Sequence, residues 1–125
     1  MKLTHEQFSN LNVVTGYGAD HVLINKVRHE GNLMLSAERI VTGWAPAGFE
    51  ALTAEDFAAL LEFSPEVVII GTGGRLRFPA PALLRPLIEA GIGFEVMDVA
   101  AACRTYNILA TEGRVVAAAL LFDRG

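Results

Sequence analysis

The residues EVVIIGTGG, at positions 66–74, decide the fold because they join a doubly buried strand to a glycine-rich turn. Residues 67–70 are a continuous apolar run without polar alternation, which is typical of a strand inside a parallel sheet. The four residues at positions 71–74 then end that strand. The stretch predicts an α/β domain whose central sheet contains parallel strands.

The chain after this turn alternates between helices and apolar strands. A helix around residues 83–88, shortened or kinked by Pro86, precedes a second buried strand at residues 92–96. Asp98 caps an alanine-rich helix that runs to about Leu109, and residues 114–122 form the last strand. Strands in this order are joined by right-handed crossovers wherever they run parallel.

The chain before the turn is mostly β. Short apolar or β-branched runs, separated by turns that contain glycine, predict an antiparallel meander. Gly31-Asn32 is the expected hairpin turn, since both residues tolerate positive φ. The runs lie at residues 13–14, 21–24, 33–35 and 40–41.

One helix interrupts this β-rich half before residue 66. Thr53 and Asp56 have the spacing of a capping box, in which each side chain binds the other residue's backbone N–H. Ser64-Pro65 ends the helix, because the residue before a proline disfavours helical dihedrals.

Composition bounds the domain count and the partners. The chain has 125 residues, of which 52% are hydrophobic, so residues 1–125 are expected to form a single domain with one substantial core. The net charge of −4 and the dispersed basic residues argue against nucleic-acid binding.

The single cysteine and the apolar runs bear on the compartment. Cys103 alone cannot form an intrachain disulfide, and it provides no metal-ligand spacing. The longest apolar run, residues 115–122, is too short to span a membrane, and residues 1–8 lack the apolar stretch of a signal peptide. We therefore expect a cytoplasmic protein that is not inserted in a membrane.

A crevice at the carboxyl ends of the strands is the candidate ligand site. The glycine loop after the strand has backbone N–H groups that can hold an anion, but Leu76 breaks the dinucleotide-binding pattern. Tight turning of the chain by the glycines is the favoured alternative. Tyr106 and Asn107 either line this crevice or satisfy backbone groups at a helix end, which is the default interpretation. The candidate ligand-binding residues are Gly71, Thr72, Gly73, Arg75, Asp98, Tyr106 and Asn107.

Catalytic and metal-binding patterns are absent from the sequence. Cys103 lies near a helix start, but a phosphatase-type loop would need arginine at position 109, which is Leu109, so a buried structural cysteine is favoured. His21 and His29 have no third ligand that follows from the sequence. No catalytic residue, metal site or cofactor is predicted.

Several motifs together resemble a family of small proteins of unknown function that includes mitochondrial complex I assembly factor 3. Gly43-Trp44 in the N-terminal half extends the resemblance over most of the chain, whereas Val99 departs from the threonine expected after the aspartate. The motifs are Gly71-Thr72-Gly73, Gly91-Ile92, Glu95-Val96-Met97-Asp98, Thr105-Tyr106-Asn107-Ile108-Leu109, Glu112-Gly113-Arg114 and Ala117-Ala118-Ala119-Leu120.

The resemblance implies a three-layer β/β/α fold, in which a mixed central sheet has helices on one side and an N-terminal antiparallel β layer on the other. For the eukaryotic relatives it also implies a non-catalytic role in assembling respiratory complex I, and for stand-alone bacterial and archaeal relatives it implies no established activity. With the absent catalytic motifs and the apolar composition, it leads to the hypothesis of a non-catalytic interaction module that binds another protein, with a role in the biogenesis of a membrane respiratory complex. The alternative is a small anionic-ligand binder or enzyme that uses the crevice at residues 71–75. A homo-oligomer also stays open.

Overall fold

The structure is a computed structural model that describes residues 11–123. These residues form two β-sheets, three α-helices and three 3-10 helices. The prediction that residues 1–8 carry no signal peptide concerns residues outside this range. The strands are β1 (Val14–Tyr17), β2 (His21–Ile24), β3 (Val27–Glu30), β4 (Leu33–Ser36), β5 (Ile40–Thr42), β6 (Val67–Thr72), β7 (Gly93–Met97) and β8 (Val116–Leu121). The α-helices are α1 (Ala54–Ala58), α2 (Arg85–Glu89) and α3 (Val99–Thr111), and 3-10 helices lie at Phe49–Ala51, Ala59–Phe63 and Pro81–Leu84.

The central sheet is mixed and has the strand order β5-β4-β8-β6-β7. Strand β6 runs parallel to both β7 and β8, while β4 runs antiparallel to β8 and to β5. Val68 of β6 lies opposite Phe94 of β7 on one side and Ala117 of β8 on the other. The three apolar segments of the C-terminal half therefore lie side by side in one sheet, as predicted.

Side chains of β6 and β8 alternate between two cores, one on each face of the central sheet. Val68 and Ala117 face the core formed with α1, α2 and the neighbouring 3-10 helices. Ile69 and Ala118 face the other core, which is formed with α3 and with strands β1 and β2 of the separate sheet β1-β2-β3. The predicted three-layer α/β fold is confirmed, and α3 shares its face of the central sheet with the N-terminal sheet.

Gly71 lets α3 approach β6 closely. A Cβ atom at this position would lie 2.8 Å from the Cβ of Ala102 on α3, and 3.3 Å from the Val99 Cα. Because one of these neighbours is backbone, a larger residue at position 71 would push the start of α3 away from the sheet.

The predicted capping box and the effect of Pro86 are both visible. Thr53 Oγ1 accepts from Asp56 N at 3.2 Å, and the Asp56 carboxylate accepts from Thr53 N at 2.9 Å. Pro86 lies in the first turn of α2, where the missing N–H would have no intrahelical partner. The preceding turn, Pro81–Leu84, is accordingly a separate 3-10 helix.

The predicted hairpin turn at Gly31-Asn32 is wrong. These residues link β3 to β4, which belong to different sheets. Buried Asn32 instead donates to the Ala45 carbonyl at 2.8 Å and accepts from Phe122 N at 2.8 Å. The tight hairpin lies at Asn25-Lys26, between β2 and the unpredicted strand β3.

Strand β7 lies at the edge of the central sheet, whereas its sequence predicts a strand buried on both faces. Gly93 and Glu95 are exposed, and no further strand follows β7 in the described sheet order. Apolar content alone does not distinguish an edge strand with one half-covered side from an interior strand.

The hairpin conformation predicts a stabilising substitution. Asn25 and Lys26 have φ values of 50° and 70°, a left-handed pair that matches a type I′ turn. Lysine is strained there, whereas glycine is not, so Lys26→Gly should raise the free energy of unfolding by about 0.5–1 kcal/mol. Urea denaturation measures the change. Glu38→Gly, at an exposed position with negative φ, is the control and should give no gain.

Candidate functional site

The carboxyl ends of the three parallel strands form a crevice that is divided by the Gly73-Gly74 turn. Strands β6, β7 and β8 end at Thr72, Met97 and Leu121. A cavity of about 350 Å³ lies on one side of the turn, between residues 17–19 and Asp98. A cavity of about 340 Å³ on the other side is lined by Phe49, Arg75 and Arg77. Ligands of open α/β sheets bind at such strand ends.

Thr72 is buried beneath this crevice and shapes the loop that follows it. Its hydroxyl donates to the Arg75 carbonyl at 2.8 Å and accepts from the Arg77 N–H at 3.0 Å. The Thr72 carbonyl accepts from Arg77 Nε and Nη2 at 3.1 and 2.9 Å. These contacts fix residues 72–77 as a compact turn.

Arg77 is also held by an aromatic ring. Its guanidinium carbon lies 4.4 Å from the centroid of the Phe49 ring, a cation–π contact that links the loop to the 3-10 helix Phe49–Ala51. Arg75, by contrast, is exposed and takes part in none of the ion pairs found among residues 11–123. Arg75 is therefore the cationic side chain that is open to a ligand in this cavity.

The two glycines of the turn make room for Asp123, the residue two positions after β8. The Gly74 N–H donates to both carboxylate oxygens of Asp123, at 3.1 and 3.2 Å. A Cβ atom at Gly73 or Gly74 would clash with that carboxylate, and Gly73 has a φ of 87°. The loop thus binds an anion, but this anion is the chain's own carboxylate.

Asp98 lies between β7 and α3, where it caps the helix. Its Oδ1 accepts from Ala101 N at 2.8 Å, so the carboxylate compensates a free N–H and the positive end of the helix dipole. The next residue, Val99, donates its N–H to the Gly73 carbonyl at 2.8 Å. The helix start and the glycine turn are therefore joined directly.

Tyr106 and Asn107 lie farther along α3 and connect this helix to the N-terminal sheet. The fully buried Tyr106 donates its hydroxyl to the Asn12 carbonyl at 2.7 Å, and burial raises the pKa of this phenol. Asn107 accepts from the Val14 N–H and donates to the Val14 carbonyl, both at 2.8 Å. The amide of Asn107 thus pairs with β1 as a neighbouring strand would.

The predicted ligand-binding residues therefore fall into two groups. Thr72, Gly73, Arg75 and Asp98 meet at the crevice, with Gly71 in the strand behind them, whereas neither Tyr106 nor Asn107 lines either cavity. The contacts of the second group are those expected if both side chains satisfy backbone groups. Binding of a ligand by this set stays a prediction.

Three crevice residues were not among the predicted ligand-binding residues: Phe49, Arg77 and Asp123. The position of Asp123 at the crevice could have been predicted from the sequence. This residue follows the last apolar strand, and the carboxyl ends of parallel strands meet at one edge of a sheet. Arg77 lies two residues after Arg75 in the same loop. Phe49 had no such signal, since its position depends on the packing of residues between β5 and α1.

Cys103 is buried on α3, as predicted, and burial raises its pKa to about 12. The thiol therefore stays protonated at neutral pH and is a poor nucleophile. His21 Nδ1 lies 2.9 Å from Asp20 Oδ1, and His29 lies on β3 opposite Val22. Within residues 11–123, no three histidine, cysteine, aspartate or glutamate side chains form a cluster that could hold a metal ion.

The chain is an α/β protein of one class, in which a five-stranded mixed sheet packs beside a separate three-stranded antiparallel sheet and a glycine turn follows the central parallel strand. Residues 14–121 match the family described as Protein of unknown function (DUF498/DUF598). The chain belongs to this family, and the resemblance noted from its motifs is confirmed.

Relatives of known name include the NADH dehydrogenase (ubiquinone) 1 alpha subcomplex assembly factor 3 of Bos taurus, which is 34% identical over 110 residues. The match covers 86% of this chain and 59% of the bovine protein, so the chain spans about three fifths of that relative's length. An uncharacterised protein of Rhodobacter capsulatus is also 34% identical, over 86% of this chain and 82% of its own length.

Solved structures share the fold. A Bordetella parapertussis protein has a TM-score of 0.83 and 40% identity, covering 90% of this chain and 97% of its own. A Xanthomonas campestris protein has a TM-score of 0.81 and 32% identity, covering 99% and 94%. A structure described as an outer membrane protein from Bartonella henselae has a TM-score of 0.74 and 32% identity, covering 90% and 96%.

The longest helix of the described residues is α3, with 13 residues. None of their helices is both long and apolar enough to cross a bilayer.

The amide of Asn107 should be a large contributor to the docking of β1. Asn107→Ala removes two hydrogen bonds and leaves the Val14 N–H and carbonyl without their partner, at a cost of about 1–3 kcal/mol of unfolding free energy. Denaturant titration measures this loss, and hydrogen exchange should show the Val14 amide exchanging faster. Ile108→Ala, at the exposed neighbouring position, should change neither quantity appreciably.

Proposed function

We propose that this chain is a non-catalytic protein-binding module of the cytoplasm that acts in the assembly of a membrane respiratory complex. The similarity to complex I assembly factor 3 over 86% of the chain is the observation that carries this proposal. The single cysteine is free and buried, which fits a reducing compartment.

The distribution of exposed apolar side chains supports a protein partner. Leu76, Phe78 and Ile88 are 49%, 70% and 57% exposed, and all three lie in the crossover between β6 and β7. Aromatic residues, phenylalanine among them, are enriched in protein interfaces relative to the rest of the surface, and Phe78 is the most exposed of the three. Residues 73–92 are therefore the proposed partner-binding segment.

The polar groups of the crevice favour binding over catalysis. The Thr72 hydroxyl, the Asp98 carboxylate and the Asp123 carboxylate all bind backbone groups of the chain itself. A general base must instead reach a proton of the substrate, and a nucleophile must be activated by a neighbouring base. The contacts of these three residues build the loop and the helix start.

The two apolar side chains of the loop provide the test. We expect the double variant Leu76→Ser, Phe78→Ser to lose partner proteins that the wild-type chain captures from the native cell. We also expect it to lower the amount of assembled respiratory complex when it replaces the wild-type chain there. Quantitative mass spectrometry measures capture, and native gel electrophoresis measures assembly. Removing two apolar interface anchors should weaken binding by at least about tenfold.

Ile108→Ser is the matched control, because Ile108 is 57% exposed but lies on α3, outside the crossover. It should keep both capture and assembly. Equal capture by the double variant and the wild type would contradict the role of residues 73–92. A normal level of respiratory complex in cells that lack the chain would contradict the assembly role.

A second candidate function is the binding of a small anion in the cavity of about 340 Å³, which the exposed Arg75 side chain favours. Arg77 and the Phe49 ring line the same cavity, while Glu50 and Asp123 limit its positive charge. A carboxylate or phosphate there would pair with the Arg75 guanidinium.

A thermal-shift panel of phosphates, nucleotides and carboxylates tests this candidate. A ligand at 100 times its dissociation constant should stabilise the protein by about 2.7 kcal/mol, which appears as a raised melting temperature. Arg75→Ala should abolish the shift, whereas Arg85→Ala, an exposed arginine on α2, should preserve it. No shift with any member of the panel would rule against the small-anion function.

A further inference from the structure

Strand β7 presents an open edge of the central sheet. Its five residues pair with β6 in continuous register, from Val67 opposite Gly93 to Gly71 opposite Met97, without a bulge. In such a strand alternate backbone N–H and C=O groups point away from the paired neighbour. No strand beyond β7 receives these groups in the described part of the chain.

The other sheet edges within residues 11–123 are covered by a side chain, carry several charges or are shorter, whereas β7 carries a single charge, Glu95. At β1, the Asn107 amide occupies the N–H and carbonyl of Val14. At β3, Arg28 forms ion pairs with Glu30 at 2.9 Å and with Asp20 at 3.7 Å, which puts charges along that edge. Strand β5 has only three residues. Short length, charge and covering side chains are the usual protections of sheet edges.

The two faces at the β7 edge differ in chemistry. Phe94 and Val96 point toward the short helices and stay partly exposed, α2 contacts β7, and Ile88 on α2 is exposed. Glu95 points to the opposite face, is exposed, and belongs to none of the ion pairs found in residues 11–123. The edge therefore combines an apolar side with one unpaired negative charge.

We propose that β7 binds an extended segment of a partner protein as an added sixth strand of the central sheet. The partner's apolar side chains pack on Phe94, Val96 and Ile88, and a lysine or arginine on its other face lies opposite Glu95. Strand addition provides affinity through backbone hydrogen bonds and selectivity through alternate side chains. This inference rests on the proposed protein-binding function, adds β7 to the proposed segment 73–92, and gives the chemistry of the partner.

A second copy of this chain fits the edge poorly. Antiparallel pairing of two β7 strands over all five residues places Glu95 opposite the Glu95 of the second copy. Like charges directly opposite each other destabilise a strand pair. The same carboxylate favours a basic partner, so it selects against self-association and for a heterologous strand.

Selection of a random peptide library on the full chain tests the inference. We expect the library to yield binders in which apolar residues alternate with lysine or arginine. An enriched peptide should shift the backbone amide resonances of residues 93–97 in heteronuclear NMR spectra. Methylation of the peptide nitrogens that face β7 should abolish binding, because it removes the donors that pair with β7. Methylation of the intervening nitrogens, which point away from β7, should not.

The charge at position 95 provides the matched variants. Glu95→Lys should weaken binding of the selected peptide by at least about twofold, as expected when an attractive cross-strand charge pair becomes a repulsive one. Glu112→Lys makes the same charge change at an exposed position beyond α3 and should leave the affinity unchanged. Both variants should keep the circular dichroism spectrum of the wild type.

Four outcomes would overturn the β7 inference: no enriched peptide, enriched peptides without basic residues, equal affinity for Glu95→Lys, or a dimer of the chain that protects the β7 amides. Peptides that shift the resonances of residues 75–78 instead would overturn it while supporting the protein-binding function. Failure of the cellular assembly test, with β7 binding intact, would overturn only the assembly role.

Discussion

The architecture depends on the burial of β8 between β4 and β6. All six residues of this strand are buried, and three of them, Ala117-Ala118-Ala119, have the smallest side chain after glycine. Small side chains in the middle of the sheet let the short helices approach one face and α3 approach the other. Larger residues there would force both layers outward, since packed interiors do not absorb added volume without strain.

The interior strands could be predicted from the sequence because they are apolar along their whole length. The apolar run at residues 67–70 has no polar alternation, so it can only be covered on both faces, and the structure places it there. The same criterion failed at β7, whose composition is similarly apolar, because a strand's place in the sheet order depends on the topology. The hairpin at Asn25-Lys26 was missed because lysine is not a usual residue at positive φ.

The candidate site was predictable in its location but not in its internal bonding. Gly73 and Asp98 meet because both follow parallel strands, which the alternation of strands and helices already implied. The roles of Tyr106 and Asn107 were ambiguous, since a hydroxyl or an amide binds a ligand and a backbone group with the same geometry. Only the distance from Asn107 to Val14, residues far apart in the sequence, distinguishes the two uses.

The position of β8 in the chain also affects how the protein is made. The strand that lies at the centre of the sheet is translated after every other described strand, so β4 and β6 have no common neighbour until residues 116–121 leave the ribosome. Until then the edges of β4 and β6 that pair with β8 are open, and unpaired edges of apolar strands are prone to aggregate. The risk of aggregation through these two strands therefore lasts until β8 has emerged and paired with both.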